Sequence, residues 1–319
     1  MRAITIETFG DPSGMKVVDL PDPAPSPGQV LIRTEAIGVA GVDAVIRRGT
    51  LGSGYPVGMI PGGEAAGIVT ATGEGVDREL IGSRVWAFMG TGGAYAELAL
   101  AQATDVTPIP EGLSSADAVT LGSASAVAHF ALAQAHAARG ASVLVRGAAG
   151  SLGIATVELA AQRGASAVAV TTSSADRGRR LRHLGATHVL DRAGAGDDDA
   201  PTSFDVIIDI VGGADIPAFI DRLAPNGRMV LVGAVAGFPP PDFGMALMRS
   251  FQKSRSFGVF SLASIPPSDR DAVRRDHFDA VTRGDLHAVI HDILPLDEAA
   301  EAHRLMDAGS VFGRIVLTV

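Results

Sequence analysis

Between residues 143 and 260 the chain alternates short apolar runs with helical stretches. The runs at 143–145, 167–170, 188–190, 205–209, 229–232 and 257–260 read as six buried strands, with helices such as 154–163 and 176–184 between them. Strands that are apolar on both faces are covered on both faces, and parallel strands need long crossovers that helices supply. The rhythm therefore predicts a doubly wound parallel sheet. The first third has a different texture. Short β-prone runs at 3–6, 30–33, 66–69, 84–88 and 95–98 are separated by glycines and by a proline-dense loop at 21–28. That pattern predicts a compact β-rich domain. An alanine-rich helix is expected over 115–139, and the last fifty residues read as helical up to a closing strand at 314–319. If that strand returns to the first domain, the α/β unit is an insertion within it. The expected boundaries are 1–119 completed by 264–319, with 120–263 between them.

Composition removes several function classes. The 319 residues contain no cysteine, which excludes a disulfide scaffold, a cysteine zinc finger, an iron–sulfur centre and a catalytic thiol. The net charge is −9, and no basic run is long enough to track a phosphate backbone, so nucleic acid is not an expected partner. The N-terminal segment lacks the order of a signal peptide, and no uninterrupted apolar run reaches bilayer length. The expectation is a soluble cytoplasmic protein without a membrane partner.

The strongest chemical signal is VLVRGAAGSLG at 143–153. A strand ends, glycines fall at Gly147, Gly150 and Gly153, and an amphipathic helix begins at once. In a dinucleotide-binding turn, glycines permit the tight bend, close approach of the pyrophosphate and close helix–strand packing, while the helix N-terminus offers amides to the phosphates. Ala148 stands where the commonest motif has its first glycine, so Ala148, Ala149, Gly150, Ser151, Leu152 and Gly153 form the candidate phosphate loop. A strand–helix turn needing glycine only for packing is the plainer alternative. At the end of the second strand an NAD site carries an acidic residue for the ribose hydroxyls. This chain has Thr172, Ser173 and Ser174, then Arg177, with Asp176 beside it. Hydroxyls and a guanidinium suit a 2′-phosphate, which favours NADPH over NADH. Arg192, after the third strand, is a second candidate for the same end. The neighbouring arginines of 179–182 read as a solvated helix face.

The segments IGVAGVDAVIRRG at 37–49, PGGEAAGIV at 61–69, GAYAE at 93–97, DIVGG at 209–213, EAAEAHRLMDAG at 298–309 and GRIVL at 313–317 run nearly the whole chain. With the glycine loop they resemble the medium-chain dehydrogenase/reductase superfamily, specifically its zinc-free quinone oxidoreductase, or zeta-crystallin-like, branch. The resemblance implies a Rossmann doubly wound parallel sheet inserted in a β-rich GroES-like catalytic domain. It also implies a homodimer, formed by edge pairing of the 257–260 strands. Zinc alcohol dehydrogenases of the superfamily have a cysteine where this chain has Ala40, a hydroxyl where it has Val42, and a histidine where it has Gly63. Without those ligands and that relay, no Lewis acid is expected to polarise an alcohol oxygen. The implied reaction is hydride transfer from NADPH to a quinone or an α,β-unsaturated carbonyl, with no metal site.

By the same resemblance the nicotinamide rests between 232–234 and 260–262, facing the 40–43 segment, which brings in Gly233, Ala234, Phe260 and Ser261. Val211, in the 209–213 segment, and Ser125, as a hydroxyl donor, complete the cofactor set. Tyr55 is the candidate proton donor to an enolate, although related reductases carry their tyrosine nearer the position of Leu51. Asp43 is read as orienting the start of a helix rather than as a direct catalyst. Glu64 is read as structural, and the histidines at 277, 287, 291 and 303 form no ligand spacing. Two other readings stay open. An enoyl-thioester reductase would show a basic groove for phosphopantetheine, and a low-turnover NADPH-binding structural or sensor protein would bind without oxidising.

Overall fold

The computed structural model describes residues 1–50, 52 and 54–319. The first segment carries strands β1 (Arg2–Ile6), β2 (Met15–Asp19), β3 (Gln29–Val39), β4 (Glu64–Thr72), β5 (Arg84–Phe88), β6 (Leu98–Gln102) and β7 (Val106–Pro108), with helix α1 (Gly41–Arg48) between β3 and β4. Helix α2 (Ser115–Gln134) leads into β8 (Ser142–Arg146), α3 (Ser151–Gln162), β9 (Ala167–Thr171), α4 (Ala175–His183), β10 (His188–Leu190), β11 (Phe204–Asp209), α5 (Ile216–Asp221), β12 (Leu223–Leu231), α6 (Met245–Arg249) and β13 (Ser256–Val259). The chain ends with α7 (Pro267–Arg283), β14 (Ile290–Pro295), α8 (Ala299–Asp307) and β15 (Arg314–Thr318). It divides into two compact units: 1–123 with 266–319, and 124–265.

In the second unit, the six strands expected from the sequence form one sheet in the order β10-β9-β8-β11-β12-β13, and every pairing is parallel. Counted from β8, this is the order third, second, first, fourth, fifth, sixth, which reverses between β8 and β11. One reading needs correction. The segment 257–260 is not a buried strand: β13 is the sheet's edge, and Val259 is 67% exposed.

In the first unit, β15 pairs antiparallel with β3, so the closing strand does return to the first domain. The seven-stranded sheet runs β14-β15-β3-β4-β5-β7, with β6 on β3. The strand expected at 95–98 lies further on, as β6, and Ala96 makes only an isolated bridge to Ala3. β2 and β14 were not foreseen. The 115–139 helix stops at Gln134, and His136 just beyond it has φ 56, a left-handed backbone that ends helical hydrogen bonding. Among the described residues α2 is the one helix long and apolar enough to cross a membrane, but 61% of its most apolar window is buried within the fold, as in a core helix.

A buried carboxylate organises the centre of the first unit. Glu64 Oε2 accepts from Trp86 Nε1 at 3.0 Å and from the Ser123 amide at 3.2 Å, and Oε1 accepts from Arg314 Nη2. The close approach depends on glycine. A Cβ on Gly122 would lie 2.2 Å from Trp86 Nε1, and one on Gly38 would lie 2.5 Å from Arg314 Nη2. Arg274 stacks on the Trp86 ring at 3.9 Å and donates to the Gly122 carbonyl at 3.1 Å. Burial lowers the Arg314 pKa to about 10, and nearby Asp43 partly opposes the shift. The guanidinium therefore stays charged at neutral pH. Removing one member of a buried pair strands the other charge, at a cost of about 3–5 kcal/mol. Arg314→Met is accordingly expected to lose stability of that order in denaturant unfolding, and adding Glu64→Gln to recover part of the loss.

Candidate functional site

The reversal of strand order in the second unit opens a crevice beyond the carboxyl ends of β8 and β11, where doubly wound sheets place their ligands. The loop after β8 is built for close approach. Gly147 has φ 85, so the tight turn falls one residue before Ala148. Ala148 is fully buried and serves as the floor on which Gly153 packs: a Cβ on Gly153 would lie 2.5 Å from Ala148 Cα. Gly150 is the N-cap of α3, without a side-chain cap, and a Cβ there would meet nothing within 4 Å. The space above it is open, and the first turn of α3, which begins at Ser151 and Leu152, holds no acidic residue. These features fit a phosphate on the helix N-terminus.

Beside this loop lies a cavity of about 230 Å³ lined by Arg146, Gly147, Ala149, Thr171, Thr172, Ser173, Arg177, Arg192, Val211 and Asp215. The structure thus brings together seven residues that the sequence singled out separately. Ser174 borders them as the N-cap of α4, accepting from the Arg177 amide at 3.4 Å. Arg192 Nη2 donates to Ser173 Oγ at 3.3 Å, and Thr171 Oγ1 accepts from the Gly147 amide at 3.1 Å.

Arg146 and Asp209 went unrecognised as a pair. Arg146, at the end of β8, is 3% exposed. Its Nη1 donates to Asp209 Oδ2 at 3.0 Å and to the Gly212 carbonyl at 2.8 Å, its Nη2 donates to Asp215 Oδ2 at 3.2 Å, and the group lies 4.3 Å from the Phe219 ring centre. Asp209 Oδ1 accepts from the Val211 and Gly212 amides at 2.8 and 3.1 Å. Burial raises the Asp209 pKa, while Arg146 and these amides pull it back. A cation at a strand end immediately before a glycine loop was the visible signal, but its partners lie 63 and 69 residues further on.

Gly233 and Ala234 follow β12, and a Cβ on Gly233 would sit 2.7 Å from the Ile210 carbonyl, so that turn packs on the end of β11. Phe260 continues β13, its amide donating to the Leu231 carbonyl at 2.9 Å. The Ser261 hydroxyl is already engaged, accepting from the Ala263 amide at 3.4 Å. Ser125 Oγ is buried with no hydrogen-bond partner among the described residues, leaving a donor available to a ligand.

In the first unit, Asp43 is 1% exposed. Its Oδ2 accepts from the Ala40 amide at 2.8 Å, bonding back to the residue before α1 as the acidic member of a capping box does. It also accepts from the Tyr95 hydroxyl at 3.2 Å. The chain of bonds continues, because Tyr95 Oη lies 3.2 Å from His303 Nε2, and His303 Nδ1 accepts from Arg47 Nε at 3.1 Å. Arg47 can only donate, so Nδ1 is the bare nitrogen and Nε2 carries the proton that Tyr95 accepts. Arg47 Nη2 reaches both oxygens of Asp307 at 2.7 and 2.6 Å. Tyr95, Arg47 and Asp307 were not picked out from sequence, and His303 was weighed only as a metal ligand and set aside, since the four partners lie far apart along the chain. Tyr55 is half-buried in the loop after α1, with no hydrogen-bond partner for its hydroxyl among the described residues, and Leu51 lies outside those residues.

A sheet that reverses at a glycine loop, with arginines around the adjoining cavity, is the architecture of dinucleotide-dependent dehydrogenases and reductases. Two family models match the chain, the alcohol dehydrogenase GroES-like domain over residues 26–111 and the zinc-binding dehydrogenase over 184–317. The quinone oxidoreductase of Rattus norvegicus is 31% identical across 99% of this chain and 97% of its own. The 2-haloacrylate reductase of a Burkholderia species is 29% identical, covering 99% and 98%. Among solved structures, a mycobacterial protein complexed with NADPH superposes with a TM-score of 0.91 at 29% identity over all of both chains. A quinone oxidoreductase from Coxiella burnetii gives 0.85 at 29% over 100% and 99%. The chain belongs to the medium-chain dehydrogenase/reductase superfamily, in its quinone oxidoreductase branch, and is an oxidoreductase. Ala40, Val42 and Gly63 fall within the GroES-like match, and among the described residues no cluster of three His, Cys, Asp or Glu could hold a metal ion.

Burial raises the Asp43 pKa to about 6, against the opposing pull of the Ala40 amide, Arg314 and Tyr95. Burial and Arg47 lower that of His303 to about 3. The signs differ. Protonating Asp43 favours the folded state as pH falls from about 6 towards 3.8, whereas His303 costs stability as pH falls below 6.5. Comparison with Asp43→Asn isolates the carboxylate, since the amide oxygen can still accept from Ala40. The variant is expected to gain on the wild type by about 2–3 kcal/mol between pH 4 and pH 7. Paired unfolding curves at the two pH values measure this.

Proposed function

We propose that the chain is an NADPH-dependent, zinc-independent reductase that delivers hydride to a quinone or to a carbon–carbon double bond conjugated with a carbonyl. The observation that carries this is the cavity beside the glycine loop, where Thr172, Ser173, Arg177 and Arg192 meet at the end of β9 and no carboxylate occupies the ribose-binding position. A carboxylate there would repel a 2′-phosphate, whereas a guanidinium pairs with it in a bidentate fork. NADPH, when bound, supplies the hydride.

The protein's part is placement. The open face of Gly150 and the amides at the start of α3 would take the pyrophosphate, with Arg177 and Arg192 at the 2′-phosphate. The turns at Gly233–Ala234 and Phe260–Ser261, at the carboxyl ends of neighbouring strands, would carry the nicotinamide. The unspent Ser125 hydroxyl would offer it a donor. A conjugated acceptor delocalises the incoming charge itself, so positioning and exclusion of water can be sufficient. The resemblance to a 2-haloacrylate reductase supports the conjugated class as well as the quinones. Asp43 would act through α1, holding the 40–43 segment by its bond to the Ala40 amide. Tyr55 stays a candidate proton donor, half-buried with an uncommitted hydroxyl.

Oxidation of NADPH is expected with at least one acceptor from panels of quinones and enones. Arg177→Glu should raise the KM for NADPH at least tenfold while changing that for NADH by about twofold or less. Tight NADPH binding without turnover of any acceptor would sink the reductase reading, and equal losses for both cofactors would remove the 2′-phosphate assignment.

We also propose that the protein is a cytoplasmic homodimer. The free side of β13 presents Val259, and Met248 and Phe251 close by in sequence are 60% and 70% exposed. An unpaired edge flanked by exposed apolar side chains is a template for pairing with an identical edge. Sedimentation should give a dimer, converted to monomer by Val259→Arg.

A further inference from the structure

The cavity beside the glycine loop holds three guanidiniums but only one carboxylate among the described residues that line it, Asp215. That carboxylate is 70% exposed and does not cap α5, the helix it precedes. Among the described residues its one hydrogen bond is to Arg146 Nη2, at 3.2 Å. Arg146 is otherwise fixed. Nη1 is held by Asp209, whose carboxylate is itself fully buried and clamped by two backbone amides. The guanidinium thus has two permanent partners inside the fold, Asp209 and the Gly212 carbonyl, and one exposed partner at the cavity wall.

We propose that Asp215 is an exchangeable counter-ion, and that a 2′-phosphate entering the cavity takes over the Arg146 Nη2 donor that Asp215 holds, making Arg146 a third phosphate-facing guanidinium beside Arg177 and Arg192. The exchange is favourable in both directions of the argument. A solvent-exposed carboxylate gives up a lone ion pair at little cost, because water solvates it at once. A phosphate brings more charge and more acceptor oxygens to the same donor. Asp215 also opposes the incoming anion while it remains in place, so the site discriminates against anions too weak to displace it. Arg146 is a positioning residue in the unliganded protein, where it ties the loop after β11 to the end of β8. It becomes a binding residue only once Asp215 has left.

This inference rests on the dinucleotide reading above, and the experiment separates the two. Isothermal titration of the full chain would use adenosine 2′,5′-bisphosphate and adenosine 5′-diphosphate as probes. Asp215→Asn is expected to tighten the bisphosphate by about three- to tenfold and to leave the diphosphate within about twofold. In an Arg146→Gln background that gain should vanish, which a purely structural role for Arg146 would not produce. Asp215→Asn carries the test alone if Arg146→Gln does not fold. Unchanged bisphosphate affinity in Asp215→Asn, or equal tightening of both probes, overturns the exchange. If Arg177→Glu still weakens the bisphosphate in that case, the dinucleotide reading survives the failure. A wild-type chain that binds neither probe overturns both.

Discussion

The ion pair between Arg146 and Asp209 joins the two central strands of the parallel sheet at the point where their connections part. Strand order reverses there, and the last ladder bond between the two strands runs from the Ile210 amide to the Arg146 carbonyl at 3.1 Å. The pair extends that tie into the loop after β11: Asp209 organises the Val211 and Gly212 amides while Arg146 takes the Gly212 carbonyl. Two charges taken out of water at this depth are tolerable only with their remaining donors and acceptors satisfied. The glycine loop follows β8 directly and Val211 follows β11, so both stand on elements that this pair joins.

The first unit solves a similar problem with different chemistry. Where zinc enzymes of the superfamily have histidine followed by glutamate, this chain has Gly63 and Glu64. Glu64 is tied to Trp86, Ser123 and Arg314, so the carboxylate serves the sheet. Asp43 is likewise turned inward, its accepting oxygen shared between the start of α1 and Tyr95. Glu64 lies next to a position where zinc enzymes have a ligand and Asp43 next to one where they have the relay hydroxyl, and both acids are committed to protein partners. The proposed transfer to a conjugated acceptor is compatible with that commitment, because such a substrate needs no cation to share its charge.

What was legible in the sequence follows from what is local. The six strands of the second unit could be read because each is a short apolar run bounded by breakers, and the glycine loop because turn geometry demands those residues at that place. Strand β13 was misjudged as buried, since Phe257 and Val259 are apolar and nothing nearby in the sequence marks a sheet edge. β2 and β14 went unseen because MKVVD and IHDILP mix charged or polar residues into short strands. Arg177, Arg192 and Ser173 could be nominated one at a time, but their convergence on one cavity required the fold. The Arg47–His303 and Tyr95–His303 bonds span 256 and 208 residues, and no pattern along the chain announces contacts of that separation.

The pairing of β15 with β3 bears on the order in which the molecule can be made. Residues 124–265 are contiguous, and their sheet needs nothing from outside that stretch to complete its strand pairings. The other sheet cannot close until Ile315–Thr318 reach Ala36–Val39, after all the residues between them have been made. Until then β3 lacks its final neighbour and Glu64 lacks its arginine. Bringing together ends so far apart is entropically slow unless the intervening chain is already compact. Folding of the inserted unit before Ile315–Thr318 are made would shorten that search, making the inserted unit the staple that lets the flanking segments close.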